Sequence, residues 1–288
     1  MIIIKNNKYL TEIPYKHKMF SSGENNIQIV NSKSIPYRDI KILFKYQQDG
    51  SLFQLAMAVD ALQRIDPAKP FSIDLYIPYF PGSRQDRVCN EGEALSAKVY
   101  ANFINSLNFR SVHIFDPHSE VTPALINNVV VHNNYELVFK SLTHFTHKFD
   151  KYFDFVLISP DAGSNKKIFE LSKKLKGKPV IRCDKKRNLA TMEIEDTEIY
   201  YNESLKGKVA VIVDDICAGG RTFKEIAKKL RKFKPDNIIL IVSFFEGLAK
   251  KHDLMESGID HVYTTDALDF VGENDYFTPF YIDDLMSF

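Results

Sequence analysis

Two adjacent carboxylates, Asp214 and Asp215, stand between an apolar run and a glycine turn, in the stretch VAVIVDDICAGGRTFKEIAKK at residues 209–229. Residues 209–213 are apolar and mostly β-branched, which fits a strand buried on both faces. The acids are followed by Ala218, Gly219, Gly220 and Arg221. From Thr222 onward, Phe223, Ile226, Ala227, Leu230 and Phe233 recur at helical spacing. Thr222 with Glu225 fits a capping box, which predicts that the helix starts at Thr222. The N–H groups of such a turn and the positive end of the helix suit a phosphate. Carboxylates just before it suit sugar hydroxyls or a hydrated magnesium ion. A phosphate beside a diol describes a ribose phosphate. The chain contains no G-x-x-x-x-G-K-[ST] loop, so P-loop chemistry is excluded.

A second group is basic. Arg84-Gln85-Asp86-Arg87 follows a strand pattern closed by Pro78 and sets two guanidinium groups, bidentate donors for phosphate oxygens, around an amide and a carboxylate. Further polar residues stand at the ends of other apolar runs. They are Asp116-Pro117-His118, Ser159-Pro160-Asp161-Ala162-Gly163-Ser164 and Asp184-Lys185-Lys186-Arg187-Asn188.

The elements that must position these groups alternate. Strand patterns fall at 2–4, 27–30, 40–44, 73–77 and 111–115, then at 155–158, 180–183, 209–213, 238–243 and 261–264. Helix patterns occupy 52–64, a stretch from Glu93, a stretch ending near Lys176, the stretch from Thr222, and 248–257. Alternation in both halves predicts an α/β protein of two similar doubly wound domains with mainly parallel sheets. The apolar pattern pauses at 131–135, so the expected domains are 1–135 and 136–288, with the tail able to pack back on the first. Such sheets bind ligands at strand C-terminal ends, where the acids stand.

With 288 residues there is room for two cores, and 44% hydrophobic with 26% charged residues is a globular composition. A net charge of +1 gives no global field for nucleic acid or membrane. Cys89, Cys183 and Cys217 form neither metal spacing nor a paired framework, and the opening apolar run is too short for a signal peptide. The expected setting is cytoplasmic.

Several of these stretches carry a resemblance. DDICAGGRT resembles the ribose-phosphate loop shared by phosphoribosyltransferases and 5-phosphoribosyl 1-diphosphate (PRPP) synthetases. IPYFPGSRQDR resembles the IPYFGYARQDR of PRPP synthetases, and EALSAKVYANFI resembles their EPISAKLVANLL at the same offset. Transferases that consume PRPP have no equivalent segment. FSSGE at 20–24, DPH at 116–118, SPDAG at 159–163 and DKKR at 184–187 resemble further landmarks of the synthetases, in the same order.

The resemblance implies transfer of the β,γ-diphosphoryl group of ATP to the 1-hydroxyl of ribose 5-phosphate, giving PRPP and AMP. It implies Lys185 and Arg187 as catalytic residues on a mobile loop, with Phe20, Glu24, Arg84, Gln85, Asp86 and His118 binding ATP. Asp214, Asp215, Ala218, Gly219, Gly220, Arg221 and Thr222 would bind ribose 5-phosphate. Mg2+ would be held near His118, Asp161, Asp214 and Asp215. The chain would form a homo-oligomer, a dimer or larger, in which residues 20–24 reach a neighbour's nucleotide site. A type I phosphoribosyltransferase and a non-catalytic regulatory paralogue are the alternatives. The chain departs from the family pattern at Ser22, where an acid is expected, and at Val88-Cys89-Asn90, where a basic run is reduced. It departs again at Ala218 and Arg221 within the phosphate loop.

Overall fold

In a computed structural model, residues 1–35, 37–149, 153–187, 194–247, 251–268 and 274–288 are described. They divide into two units, one of Met1–Asn133 with Ile282–Phe288 and one of Asn134–Tyr281. The fold is mixed α/β with mainly parallel sheets.

The first unit runs β1 (Ile2–Asn6), β2 (Tyr15–Met19), β3 (Asn25–Ile29), β4 (Asp39–Phe44), α1 (Asp49–Gln63), β5 (Ser72–Ile77), α2 (Ser96–Ser106), β6 (Ser111–Phe115), α3 (Val121–Leu125) and β7 (Val129–His132). Its sheet has the order β1-β4-β5-β6-β7, parallel from β4 to β7, with β1 antiparallel at the edge. In α1, Leu52, Leu55, Val59 and Leu62 are spaced to fall on one face, and all are buried. They meet Ile42, Leu75 and Ile114 from the sheet, with Ala101 and Ile104 from α2. Each such Leu or Ile is worth about 1.5–3 kcal/mol of burial.

Three stretches differ from the sequence reading. β2 and β3 form a separate hairpin: β3 takes the strand expected at 27–30, while β2 is exposed along most of its length, so no apolar run announces it. Residues 131–135, read as a pause, carry the end of β7 and the start of a helix. The helix expected from Glu93 begins at Ser96, because the Glu93 carboxylate accepts the N–H groups of Cys89 and Asn90 at 2.8 and 2.9 Å and closes a loop.

The second unit runs α4 (Tyr135–Phe149), β8 (Asp154–Ser159), α5 (Asn165–Lys174), β9 (Val180–Arg187), β10 (Ile194–Ile199), β11 (Lys208–Cys217), α6 (Arg221–Leu230), β12 (Asn237–Phe245), α7 (Lys251–Glu256), β13 (His261–Thr265) and β14 (Phe277–Phe280). The final helix, α8 (Ile282–Met286), belongs with the first unit, as do Ser287 and Phe288. Lys41 Nζ donates to the Ser287 carbonyl at 3.2 Å, and the Phe288 ring meets Tyr76 edge-on.

The second sheet has the order β10-β9-β8-β11-β12-β13-β14, parallel except for β10 against β9. From β8 the chain moves to β9 on one side, then returns to β11 on the other. The winding therefore reverses between β8 and β11, the place where sheets of this kind bind ligands at their strand C-terminal ends. Ile212 pairs with Ile158 on β8, but β11 continues beside β12 to Cys217 opposite Phe245. The strand is thus longer than its apolar run and carries both acids past the end of β8.

Candidate ligand site

Asp161 lies on the loop after β8, and Asp214 and Asp215 lie on β11, so both sides of the reversal point end in carboxylates. Asp161 Oδ1 accepts the Ser164 N–H at 3.1 Å. Ser164 Oγ lies 2.8 Å from Ser159 Oγ and donates to the Asp161 carbonyl at 2.9 Å, so the loop is braced from within. On β11, Asp214 Oδ1 accepts the Asp215 N–H at 3.0 Å. Burial pushes the Asp214 carboxyl well above the usual carboxylate range. The charge of Asp215 adds to the push and so does Asp161, while Lys167 on α5 opposes it. A like-charge group of this kind favours a cation.

Among the described residues, no three His, Cys, Asp or Glu side chains gather as a metal cage. Magnesium does not demand one. It keeps most of its waters and takes one or two carboxylates plus substrate phosphates. The Asp161, Asp214 and Asp215 carboxylates fit that mode, being hard oxygens whose mutual repulsion a cation relieves. His118 lies on an exposed loop of the first unit.

The turn after β11 also differs from expectation. Gly220 adopts φ 69°, left-handed backbone that favours glycine, and occupies the N-cap position of α6. The helix therefore opens at Arg221 rather than at a capping Thr222, and no side-chain cap is formed. With Gly219 exposed and no side-chain oxygen capping the first turn, its N–H groups suit an anion. Ala218 is half-buried in the bend before the helix, and Arg221 is exposed and Thr222 half-buried in its first turn.

The basic run was expected on a loop. Asp184, Lys185, Lys186 and Arg187 instead extend β9, with Lys185 opposite Thr197 and Arg187 opposite Ile194 on β10. Strand pairing needs only backbone groups, so a charged run can take it. Asn188 lies outside the described residues.

In the first unit, the loops leaving the adjacent strands β5 and β6 carry the other group. Gly82 has φ +72°, and a Cβ there would lie 2.6 Å from Tyr100 Cδ2, so the loop needs glycine. Asp86 is nearly buried, accepts Ser119 Oγ at 2.6 Å and has Arg87 Nε at 3.4 Å. Arg84, Gln85 and His118 are exposed on the same loops. Asp116 is buried at φ 44° and donates its N–H to the His132 carbonyl at 2.7 Å, which shapes the β6 end. Phe20 and Glu24 bracket the tip of the β2–β3 hairpin. There Phe20 is exposed under Lys18, 4.7 Å from ring to Nζ, and Ser22 Oγ donates to Glu24 at 2.7 Å. Ser22, a departure in sequence, is thus a partner of Glu24. Sequence reasoning passed over Lys167 and Ser119, since a lone lysine on a helix or a serine on a loop carries no signal by itself.

The chain is similar to known proteins over most of its length. Residues 4–107 match the N-terminal domain of ribose phosphate pyrophosphokinase, and residues 132–276 match the phosphoribosyl transferase domain. The ribose-phosphate pyrophosphokinase of Thermosipho africanus is 27% identical over 261 residues, covering 86% of this chain and 76% of that one. Ribose-phosphate pyrophosphokinase 1 of Listeria monocytogenes is 28% identical over 253 residues, covering 86% and 76%. The crystal structure of phosphoribosylpyrophosphate synthetase from Mycobacterium smegmatis superposes with a TM-score of 0.77. It covers 96% of this chain and 89% of that one at 19% identity, a likeness of fold.

Proposed function

The chain belongs to the PRPP synthetase family, and from that premise we propose that it is an active ribose-phosphate diphosphokinase. Its substrates are ATP and ribose 5-phosphate, and its products PRPP and AMP. One observation carries this reading: Asp161, Asp214 and Asp215 stand at the strand ends where the second sheet reverses, and Asp214 feels the charge of both others, beside the glycine turn that opens α6.

The anomeric oxygen of ribose 5-phosphate attacks the β-phosphorus of ATP and loses its proton. The bond from that phosphorus to the bridging oxygen of AMP breaks. Most of the catalysis is positioning and charge stabilisation. Asp214 and Asp215 hold the ribose hydroxyls, and residues 218–222 hold the 5-phosphate through turn N–H groups. Arg84 and Gln85 bind ATP with Asp86 and His118, while Lys185 and Arg187 stabilise the transferring group. Asp161, Asp214 and Asp215 would hold magnesium on the second unit and His118 would serve the magnesium of ATP on the first; the ion would supply neutralisation of the phosphate charge. The active form is a homo-oligomer in which Phe20 and Glu24 complete a neighbour's nucleotide site, in the cytoplasm and without nucleic acid or membrane.

The test is direct. The protein is incubated with ATP, magnesium and ribose 5-phosphate, and PRPP and AMP are sought in equal amounts. Their absence, together with PRPP consumption when a nucleobase is supplied, would replace this reading with a phosphoribosyltransferase.

A further inference from the structure

The strand that carries the basic run is anchored from the helix of the phosphate turn. Lys229, half-buried on α6, donates from Nζ to the main-chain oxygen of Thr197 on β10. Thr197 is buried and is the register partner of Lys185 on β9. Among the described residues β10 pairs with β9 and with no other strand. A tie on β10 therefore fixes the outer side of the strand bearing Lys185. The charge of the same ammonium is felt on that strand. The Cys183 thiol, two residues before Lys185, is pushed up to about 12 by burial, and the charge of Lys229 opposes that push.

The other end of the tie is the helix itself. α6 opens at Arg221, immediately after Gly219 and Gly220, and Lys229 lies eight residues along it, about 12 Å at 1.5 Å per residue. Phe223, Ile226, Ala227 and Leu230 bury the helix against its own sheet. An ammonium taken partly out of water costs free energy unless it is hydrogen-bonded, and a carbonyl of an edge strand supplies the bond.

We propose that Lys229 is a positioning residue. It holds β10, and through it the strand bearing Lys185, in fixed register with the helix that opens at the phosphate turn. The inference rests on the PRPP synthetase reading and names what keeps two parts of that site in step.

The experiment compares the full-length parent with Lys229→Met, which keeps the stem and removes the donor, and with Lys229→Arg, which restores one. Backbone hydrogen exchange is followed at residues 183–187 and 194–199, and kcat and both KM values are measured. Lys229→Met is expected to speed exchange in both segments and to lower kcat about tenfold, with KM for ribose 5-phosphate and ATP within about twofold. Lys229→Arg should recover most of both. Unchanged exchange in Lys229→Met overturns the anchor, and faster exchange with parental kcat overturns the positioning role. If the methionine variant fails to fold, Lys229→Gln takes its place. A parent that makes no PRPP refutes the proposed function and the catalytic half of this inference, while exchange still decides the anchor.

Discussion

Ser119 Oγ donates to Asp86 Oδ2 at 2.6 Å, joining the loop after β6 to the loop after β5. The bond fixes the carboxylate at the centre of Arg84-Gln85-Asp86-Arg87 and leaves Arg84 and Gln85 exposed for a ligand. Ser119→Ala should therefore raise KM for ATP by about tenfold, the scale of one hydrogen bond to a charged group. KM for ribose 5-phosphate should hold. Steady-state kinetics with each substrate varied decides it, and an unaltered ATP constant would leave the bond structural.

Lys185→Ala should abolish turnover while leaving the fold and ribose 5-phosphate binding nearly intact. A cation used mainly in the transition state is worth on the order of a hundredfold or more in kcat. Activity within a few-fold of the parent would remove Lys185 from the catalytic set.

A separate prediction concerns pH. His261 on β13 is buried, with Nε2 3.0 Å from Thr278 Oγ1. Burial, with Lys148 and His144 adding, lowers its imidazole to about 4 from an ordinary 6.5. As pH falls below 6.5 the unfolded chain takes up the proton first, so stability is present above that pH and is lost down to about 4. Between pH 7 and pH 5 this group accounts for about 2 kcal/mol. Urea unfolding of the parent and of His261→Asn at both pH values should show the smaller loss in the variant. Equal losses would mean that His261 is protonated in the folded protein.

Much of the frame was legible because burial writes itself into the sequence. The run at 209–213 lies on a strand walled by β8 and β12 and is buried throughout, so every residue is apolar, and its acidic end marks the reversal point of the sheet. The β2–β3 hairpin was half legible. Ile27 and Ile29 are buried, but Tyr15 to Met19 present no such stripe. The extension of β9 was hidden for the same reason, since charged residues can pair by backbone alone. The start of α6 was misplaced because Thr222 and Glu225 match a capping box, while the left-handed turn at Gly220 already caps the helix. The anchor from Lys229 to Thr197 joins residues 32 apart in sequence, and no local pattern announces such a pair.

The hairpin tip gives a test of assembly. The Phe20 N–H donates to the Glu24 carbonyl at 2.8 Å, and the Gly23 N–H donates to the Phe20 carbonyl at 2.9 Å, so the tip is a closed turn. If it completes a neighbour's nucleotide site, Glu24→Ala and Asp214→Ala chains should each be nearly inactive, yet active when mixed and allowed to exchange subunits. The restored site would combine the intact hairpin of one chain with the intact carboxylates of the other. A fully active monomer by light scattering would overturn the shared site.

The last prediction concerns Arg221, which the family pattern does not supply. It is the first residue of α6, exposed, and follows the left-handed Gly220. A cation there opposes the helix dipole at a cost of about 0.3–1 kcal/mol, a cost that a bound anion reverses. The guanidinium has the fork geometry to share a phosphate with the first-turn N–H groups. Arg221→Gly should therefore raise KM for ribose 5-phosphate by about tenfold and leave KM for ATP unchanged. Stability should hardly move. Relief of the dipole clash offsets the backbone entropy of a glycine in a helix, about 0.5–1 kcal/mol. Titration of the two substrates against parent and variant, with thermal unfolding alongside, separates the outcomes. Equal weakening of both substrates, or of neither, would take Arg221 out of the phosphate pocket.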